Sequence, residues 1–182
     1  MPEPRRLKLI AALGAARDLH QHIRLAQQAE RACCDAVLVD DRDLEPTAVL
    51  AAIATATERI GLIAGTATTY NEPYNIARRF LSADHLSEGR IGWLLQPHGR
   101  EGELRSYGFA IEADPVARAA EFYDVVAGLW DSWEDDALLR DKASGDYMNR
   151  DKVHFLDHVG RHFRVRGPLN ITRSVQGWPV VV

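Results

Sequence analysis

An α/β fold is predicted for this 182-residue chain by three observations. Apolar strand candidates begin near residues 7, 35, 61 and 90, about 26 to 30 residues apart, the spacing of repeated strand–helix units with right-handed crossovers. The segments between them carry apolar residues at intervals of three and four. The strand candidates are almost continuously apolar, as strands covered on both faces must be.

The first strand candidate runs from Leu7 to Leu13 and stops at Gly14. Leu19, Ile23, Ala26, Ala29 and Cys33 then recur along one side of a helix. The run Asp35-Ala-Val-Leu-Val-Asp40 reads as a buried strand closed by acids at its C-terminal end. Pro46 opens the second helix, where its missing N–H would be unpaired in any case. Val49, Leu50, Ile53, Ala56 and Ile60 give that helix an apolar side, and Arg59 and Gly61 mark its stop.

The third strand is expected from Gly61 to Thr69, with hydroxyls gathered at its C-terminal end. Its small residues let a ligand or a neighbouring backbone come close. The turn-rich Asn71-Glu-Pro-Tyr74 opens a third helix with an Ile76, Phe80, Ala83 and Leu86 stripe, ended by Glu88-Gly89. Ile91 to Leu95 forms the fourth strand, and the pattern then lapses into a long loop through Pro97, His98, Gly99, Gly102 and Gly108. Pro115 to Trp130 is again helical.

Residues 131–157 carry eight acids against four bases and read as a solvated excursion, part of an acidic insertion over 131–177. Within it a hairpin is expected, with arms around Val153–Leu156 and His162–Val165. Trp178 to Val182 is a fifth strand candidate, and the chain stops inside it. Four units plus a fifth strand fit an incomplete (β/α)8 TIM barrel, since a complete one takes roughly 250 residues. A small doubly wound sheet is the competing architecture.

Composition excludes several roles. With 22 Lys+Arg against 26 Asp+Glu and a net charge of -4, the chain has no general attraction for nucleic acid or anionic membrane. No 18-residue apolar span offers a membrane helix. Cys33 and Cys34 are adjacent and have no distant partner, which suits a reducing cytoplasm. A Gly-x-Gly-x-x-Gly turn, a Walker loop, a Gly-x-Ser-x-Gly elbow, a His-Glu-x-x-His pair and a Cys-x-x-Cys pair are all missing. His154, His158 and His162 recur every four residues, but Gly160 and the β-prone Val153, Phe155, Phe163 and Val165 argue against one helix carrying all three. A polar hairpin is the favoured reading there, with no metal.

Asp40 and Asp41 follow one buried strand, Thr66, Thr68 and Thr69 close another, and His98 lies just beyond a fourth. In a β/α architecture these positions converge on one mouth. Carboxylates and hydroxyls there suit the polar edge of a ring cofactor, with Trp93 adding apolar area. Turn-capping roles, with Trp93 in the core, explain the same residues equally well.

A family resemblance rests on several segments. They are Asp35-Ala-Val-Leu-Val-Asp-Asp41, Thr57-Glu-Arg-Ile-Gly-Leu62, Thr68-Thr-Tyr-Asn-Glu-Pro-Tyr74, Asp84-His-Leu-Ser87 and Gly89-Arg-Ile-Gly-Trp93. Gly128-Leu-Trp-Asp-Ser-Trp-Glu-Asp-Asp136, Gly160-Arg-His-Phe163 and Arg166-Gly-Pro-Leu-Asn170 extend the match. Together they resemble the bacterial-luciferase-like flavin monooxygenases, in the branch acting on nitrilotriacetate, EDTA, dibenzothiophene sulfone and long-chain alkanes. The resemblance implies the N-terminal half of a TIM barrel using O2 and FMN, the flavin reduced by a separate reductase, on a small organic substrate. It also implies that Asp41 and Thr68 or Thr69 line the flavin pocket. With His98 at the same mouth, the candidate cofactor-binding residues are Asp41, Thr68, Thr69 and His98.

The chain departs from the family pattern in four places. Leu94-Leu-Gln-Pro-His98 stands where Asn-Val-Val-Thr-Ser is usual, and Glu112-Ala-Asp-Pro-Val116 where His-Asp-Glu-Arg-Tyr is usual. The loop around Ala15-Ala-Arg-Asp18 is short, and Asn75 replaces a histidine. Impaired oxygenation by this short chain is therefore expected. The alternatives are a non-catalytic interaction protein that associates through open strand edges, as a homo-oligomer does, or a deazaflavin-binding relative.

Overall fold

The computed structural model describes residues 7–14, 18–42, 44–99, 106–108 and 114–182. The shortened stretch at 15–17, most of the loop after the fourth strand and residues 112–113 of the second altered segment lie outside the described residues.

Four strand–helix units come first. They are β1 (Ile10–Leu13) with α1 (Leu19–Arg31), β2 (Ala36–Val39) with α2 (Pro46–Ala54), β3 (Gly61–Ala67) with α3 (Pro73–Ser87), and β4 (Ile91–Gln96) with α4 (Pro115–Trp130). Among the described residues, a 3-10 turn (Arg150–Lys152), a short β5 (His158–Val159) with β6 (Arg164–Val165), and β7 (Val180–Val181) follow. The main sheet runs β1-β2-β3-β4-β7, every neighbouring pair parallel. Sequential parallel strands with helices between them are the opening arc of a β/α barrel.

Helix starts follow local chemistry. Asp18 caps α1 by accepting the Gln21 N–H at 2.8 Å, Glu45 caps α2 through Ala48 N–H at 2.7 Å, and Asp114 caps α4 through Ala117 N–H at 3.0 Å. Pro46, Pro73 and Pro115 each sit in the first turn. Helix α3 ends where Glu88 turns left-handed at φ 55°.

Several element bounds differ from expectation, β3 ending at Ala67 and β7 narrowing to Val180–Val181 among them, and three of the differences have a visible cause. Strand β1 starts at Ile10 because only from there does it pair in register with β2. Helix α2 stops at Ala54, because the Thr57 hydroxyl takes the Ile53 carbonyl at 2.9 Å and the Arg90 guanidinium takes Ala54, Thr57 and Ile60 carbonyls. The first hairpin arm lies later, at His158–Val159, since Leu156 and Asp157 both donate to the Arg166 carbonyl and Val153 bridges to Trp133 instead.

The two sheet faces have different neighbours. Val37, Leu62, Ala64, Ile91 and Trp93 face the helices and are buried with Ile53, Ile76, Phe80, Phe122 and Trp130. Trp93 is fully buried, 5.6 Å from Phe80, 6.0 Å from Phe122 and 6.2 Å from Trp130 by ring centres, and Trp130 continues to Trp178 at 6.3 Å. It thus packs the core and does not face the mouth. Leu38, Ile63, Gly92 and Val180 form a register row on the opposite face, the inner wall of the arc. Ile10, Val180 and Val182 on this wall are 48%, 58% and 55% exposed. Among the described residues, no helix is long and apolar enough to cross a membrane.

Candidate functional site

The C-terminal ends of β2, β3 and β4 bring their closing residues to one mouth, as in-register parallel pairing requires. Asp40 is its hub. Its Oδ1 accepts from Gln96 Nε2 at 2.8 Å and from Asp41 N–H at 3.0 Å, and its Oδ2 accepts from Arg42 Nε at 3.0 Å. Burial pushes the Asp40 carboxyl up, but the hydrogen bonds from Arg42, Gln96 and the Asp41 amide outweigh it and hold the group below its usual range. Asp40 is thus ionised at neutral pH and fixes the Gln96 amide.

Gly65 lies between these two side chains on β3. A Cβ there would sit 3.0 Å from Asp40 Oδ1 and 3.4 Å from Gln96 Nε2. The missing side chain leaves room for the bridge.

Two cavities share this wall. One, of about 310 Å3, lies over the ends of β1 and β2, with Ala12, Leu38 and Leu94 as apolar lining and His22, Asp40 and Gln96 as polar lining. The other, of about 320 Å3, is lined by Asp40, Asp41, Arg42, Tyr70, Gln96 and His98 among others. Volumes of this size are at the lower end for small-molecule pockets.

Of the four candidate residues, Asp41 and His98 are brought together in the second cavity, where the Tyr70 hydroxyl donates to Asp41 Oδ2 at 3.3 Å. Thr68 and Thr69 are placed differently. Both are buried, at 1% and 7% exposure, and both bind the loop after β4. The Thr68 hydroxyl donates to the Pro97 carbonyl at 3.4 Å, and the Thr69 hydroxyl accepts the Gly99 N–H at 2.9 Å. Gly99 lies so close to Tyr70 that a Cβ would enter the ring, 2.2 Å from its nearest atom. Arg118 of α4 donates to the Thr68 carbonyl.

Residues the sequence reading passed over complete the mouth. Tyr70 stacks on Tyr107 with ring centres 4.3 Å apart and planes 6° from parallel. Behind it, Arg79 joins Glu45 at 3.1 Å and Asn71 at 2.7 Å. Tyr70 directly follows the threonines, so its position at a strand end was a usable signal. Tyr107 had none, because its partner comes from another loop.

The three spaced histidines are not gathered. His154 pairs with Glu134 at 2.6 Å, and His158 with Glu121 at 3.0 Å. The His162 backbone N–H, with that of Phe163, binds the same Glu121. His158 and His162 brace the hairpin against α4.

Comparison with known proteins bears on this geometry. Residues 8–182 match the model of the luciferase-like monooxygenase family. Nitrilotriacetate monooxygenase component A of Aminobacter aminovorans is 50% identical over 144 residues, covering 78% of this chain and 32% of that protein. A riboflavin lyase, solved with modified FMN and its substrate riboflavin, superposes with a TM-score of 0.89 at 32% identity, over 97% of this chain and 49% of that one. A long-chain alkane monooxygenase structure also gives 0.89, at 26% identity over 98% of this chain and 51% of that one. The chain spans about half or less of these proteins' own lengths.

Proposed function

Because the chain belongs to the luciferase-like monooxygenase family, we propose that its strand-end mouth holds reduced FMN, delivered by a separate flavin reductase, for O2-dependent oxygenation of a small organic substrate. The observation that carries this reading is the fixed Asp40–Gln96 bridge, which lines both cavities at the strand ends. Gly65 gives that bridge the room it needs, and the polar edge of a planar ring in the adjoining cavities meets an amide already oriented by a carboxylate.

Bound reduced FMN supplies the electrons that activate O2. The chain's own residues bind and orient. Leu38 and Leu94 offer apolar contact and exclude water from the ring. Asp41, set by the Tyr70 hydroxyl, and His98 supply polar contacts on the other side of the bridge. Thr68 and Thr69 act indirectly, by holding the Pro97–Gly99 loop against the strand end. The relative's name, component A, supports a second component, which we read as a reductase in a reducing cytoplasm.

The reading includes a weakened site. Leu94 to His98 replaces the amide and hydroxyls that the family resemblance implies, and each hydrogen bond lost to a charged group costs about 1.5 to 3 kcal/mol. Anaerobic titration with reduced FMN is expected to saturate weakly, and O2 consumption with an added reductase to be poorly coupled to product. Absence of saturable binding up to about 1 mM would overturn the cofactor reading. Micromolar affinity with tight coupling would overturn the weakened site.

A further inference from the structure

We propose that His22 is a flavin-contacting residue of this mouth, its Nε2 accepting a hydrogen bond from an N–H or O–H of the bound cofactor. The inference rests on the FMN reading above and deepens it. His22 lies in the first turns of α1, four residues after the Asp18 cap, and is 4% exposed. Its Nδ1 is 3.1 Å from the Asp18 carbonyl oxygen. A carbonyl can only accept, so Nδ1 carries the proton and donates. In the neutral ring Nε2 is then an acceptor with a fixed direction.

The same ring lines the 310 Å3 cavity together with Asp40 and Gln96. Among the described residues no hydrogen bond joins Nε2, whereas the Gln96 Nε2 and Arg42 Nε groups of that wall are engaged with Asp40. Asp40 already receives Gln96, Arg42 and the Asp41 amide, so its capacity to accept more is largely spent. His22 Nε2 is therefore an open acceptor in the cavity, on the side away from Asp41 and His98. A donor that arrives with the ligand gains this hydrogen bond only in the bound state. This makes His22 a source of affinity and not only of packing. The ring's other nitrogen is tied to the helix cap, so the acceptor is pre-oriented and its use loses little freedom.

The test joins two measurements on the full 182-residue chain. In anaerobic titration with reduced FMN, His22→Phe keeps a buried ring of similar volume but removes the acceptor, and a roughly tenfold weaker Kd is expected. Nitrogen-15 NMR of the unsubstituted protein reads the contact directly and does not depend on the variant folding. The His22 Nε2 resonance should move toward the hydrogen-bonded position as reduced FMN is added, while exposed His20 stays put. Saturable binding with an unmoved Nε2 resonance would overturn the proposal and leave the FMN reading standing. Unchanged affinity in a folded His22→Phe would do the same. Failure of the unsubstituted chain to bind reduced FMN would sink both.

Discussion

Glu121 shows how one side chain can hold a whole segment. Its carboxylate receives His158 Nε2 at 3.0 Å and the N–H groups of His162 and Phe163 at 3.0 and 2.9 Å. Burial pushes this carboxyl up, but those three hydrogen bonds and the nearby His162 charge bring it down from 4.5 to about 2. A carboxyl depressed on folding stabilises the fold fully above its unfolded value near 4.5, and that contribution is lost as pH falls toward 2. With the side chain only 14% exposed, the difference is on the order of 3 kcal/mol. Glu121→Gln is expected to destabilise by about 2 to 3 kcal/mol at pH 7 and to flatten the acid limb of stability between about pH 4.5 and 2, read by urea melts across pH. A variant as acid-sensitive as the parent would refute this. At the mouth, Gly65→Ala should leave the fold intact yet part Asp40 from Gln96 and weaken reduced-FMN binding at least tenfold in the same anaerobic titration.

Elements are joined at the opposite end of the strands by two long side chains. Arg90 donates to the carbonyls of Ala54, Thr57, Ile60 and Ser87 and to the Thr57 hydroxyl, closing the ends of α2 and α3 together. Glu30 of α1 receives three successive N–H groups, of Glu58, Arg59 and Ile60, at 2.9, 2.7 and 3.0 Å. Arg90→Lys keeps the charge but cannot span this fork, so a loss of about 2 kcal/mol is expected in chemical denaturation, without change in flavin affinity. Equal stability of the lysine variant would count against the capping role. These bonds also explain what could be read beforehand. The apolar stripe from Pro115 to Trp130 marked α4 to its last residue, because periodicity is local. The end of α2 was not legible, because Arg90, thirty-six residues away, takes the Ala54 carbonyl. At the site, strand-end position sufficed to gather Asp41 and His98, whereas the buried course of Thr68 and Thr69 depends on a loop whose path only tertiary packing sets. His22 was hidden for the same reason, since its place beside Asp40 and Gln96 is set by tertiary packing.

The molecule as a whole carries an open inner wall. Ile10, Val180 and Val182 are half-exposed there, and among the described residues β1 and β7 are the outer strands of the main sheet. Apolar surface beside open strand edges favours association. Sedimentation of this chain is expected to show mass rising with concentration, and Val180→Lys to shift it back toward monomer. A monomer at every concentration would argue that the wall is too weakly apolar to pair.

The aromatic run through the core has an optical consequence. Of the four tryptophans, Trp93, Trp130 and Trp178 stand within about 6 Å of one another in series, close enough for excitation to migrate along them. Light absorbed at the enclosed indole of Trp93 will tend to leave through Trp178, which is 38% exposed beside Asp131. Intrinsic emission should therefore report the solvent around position 178 more than the interior, and Trp178→Phe should shift the spectrum toward the blue.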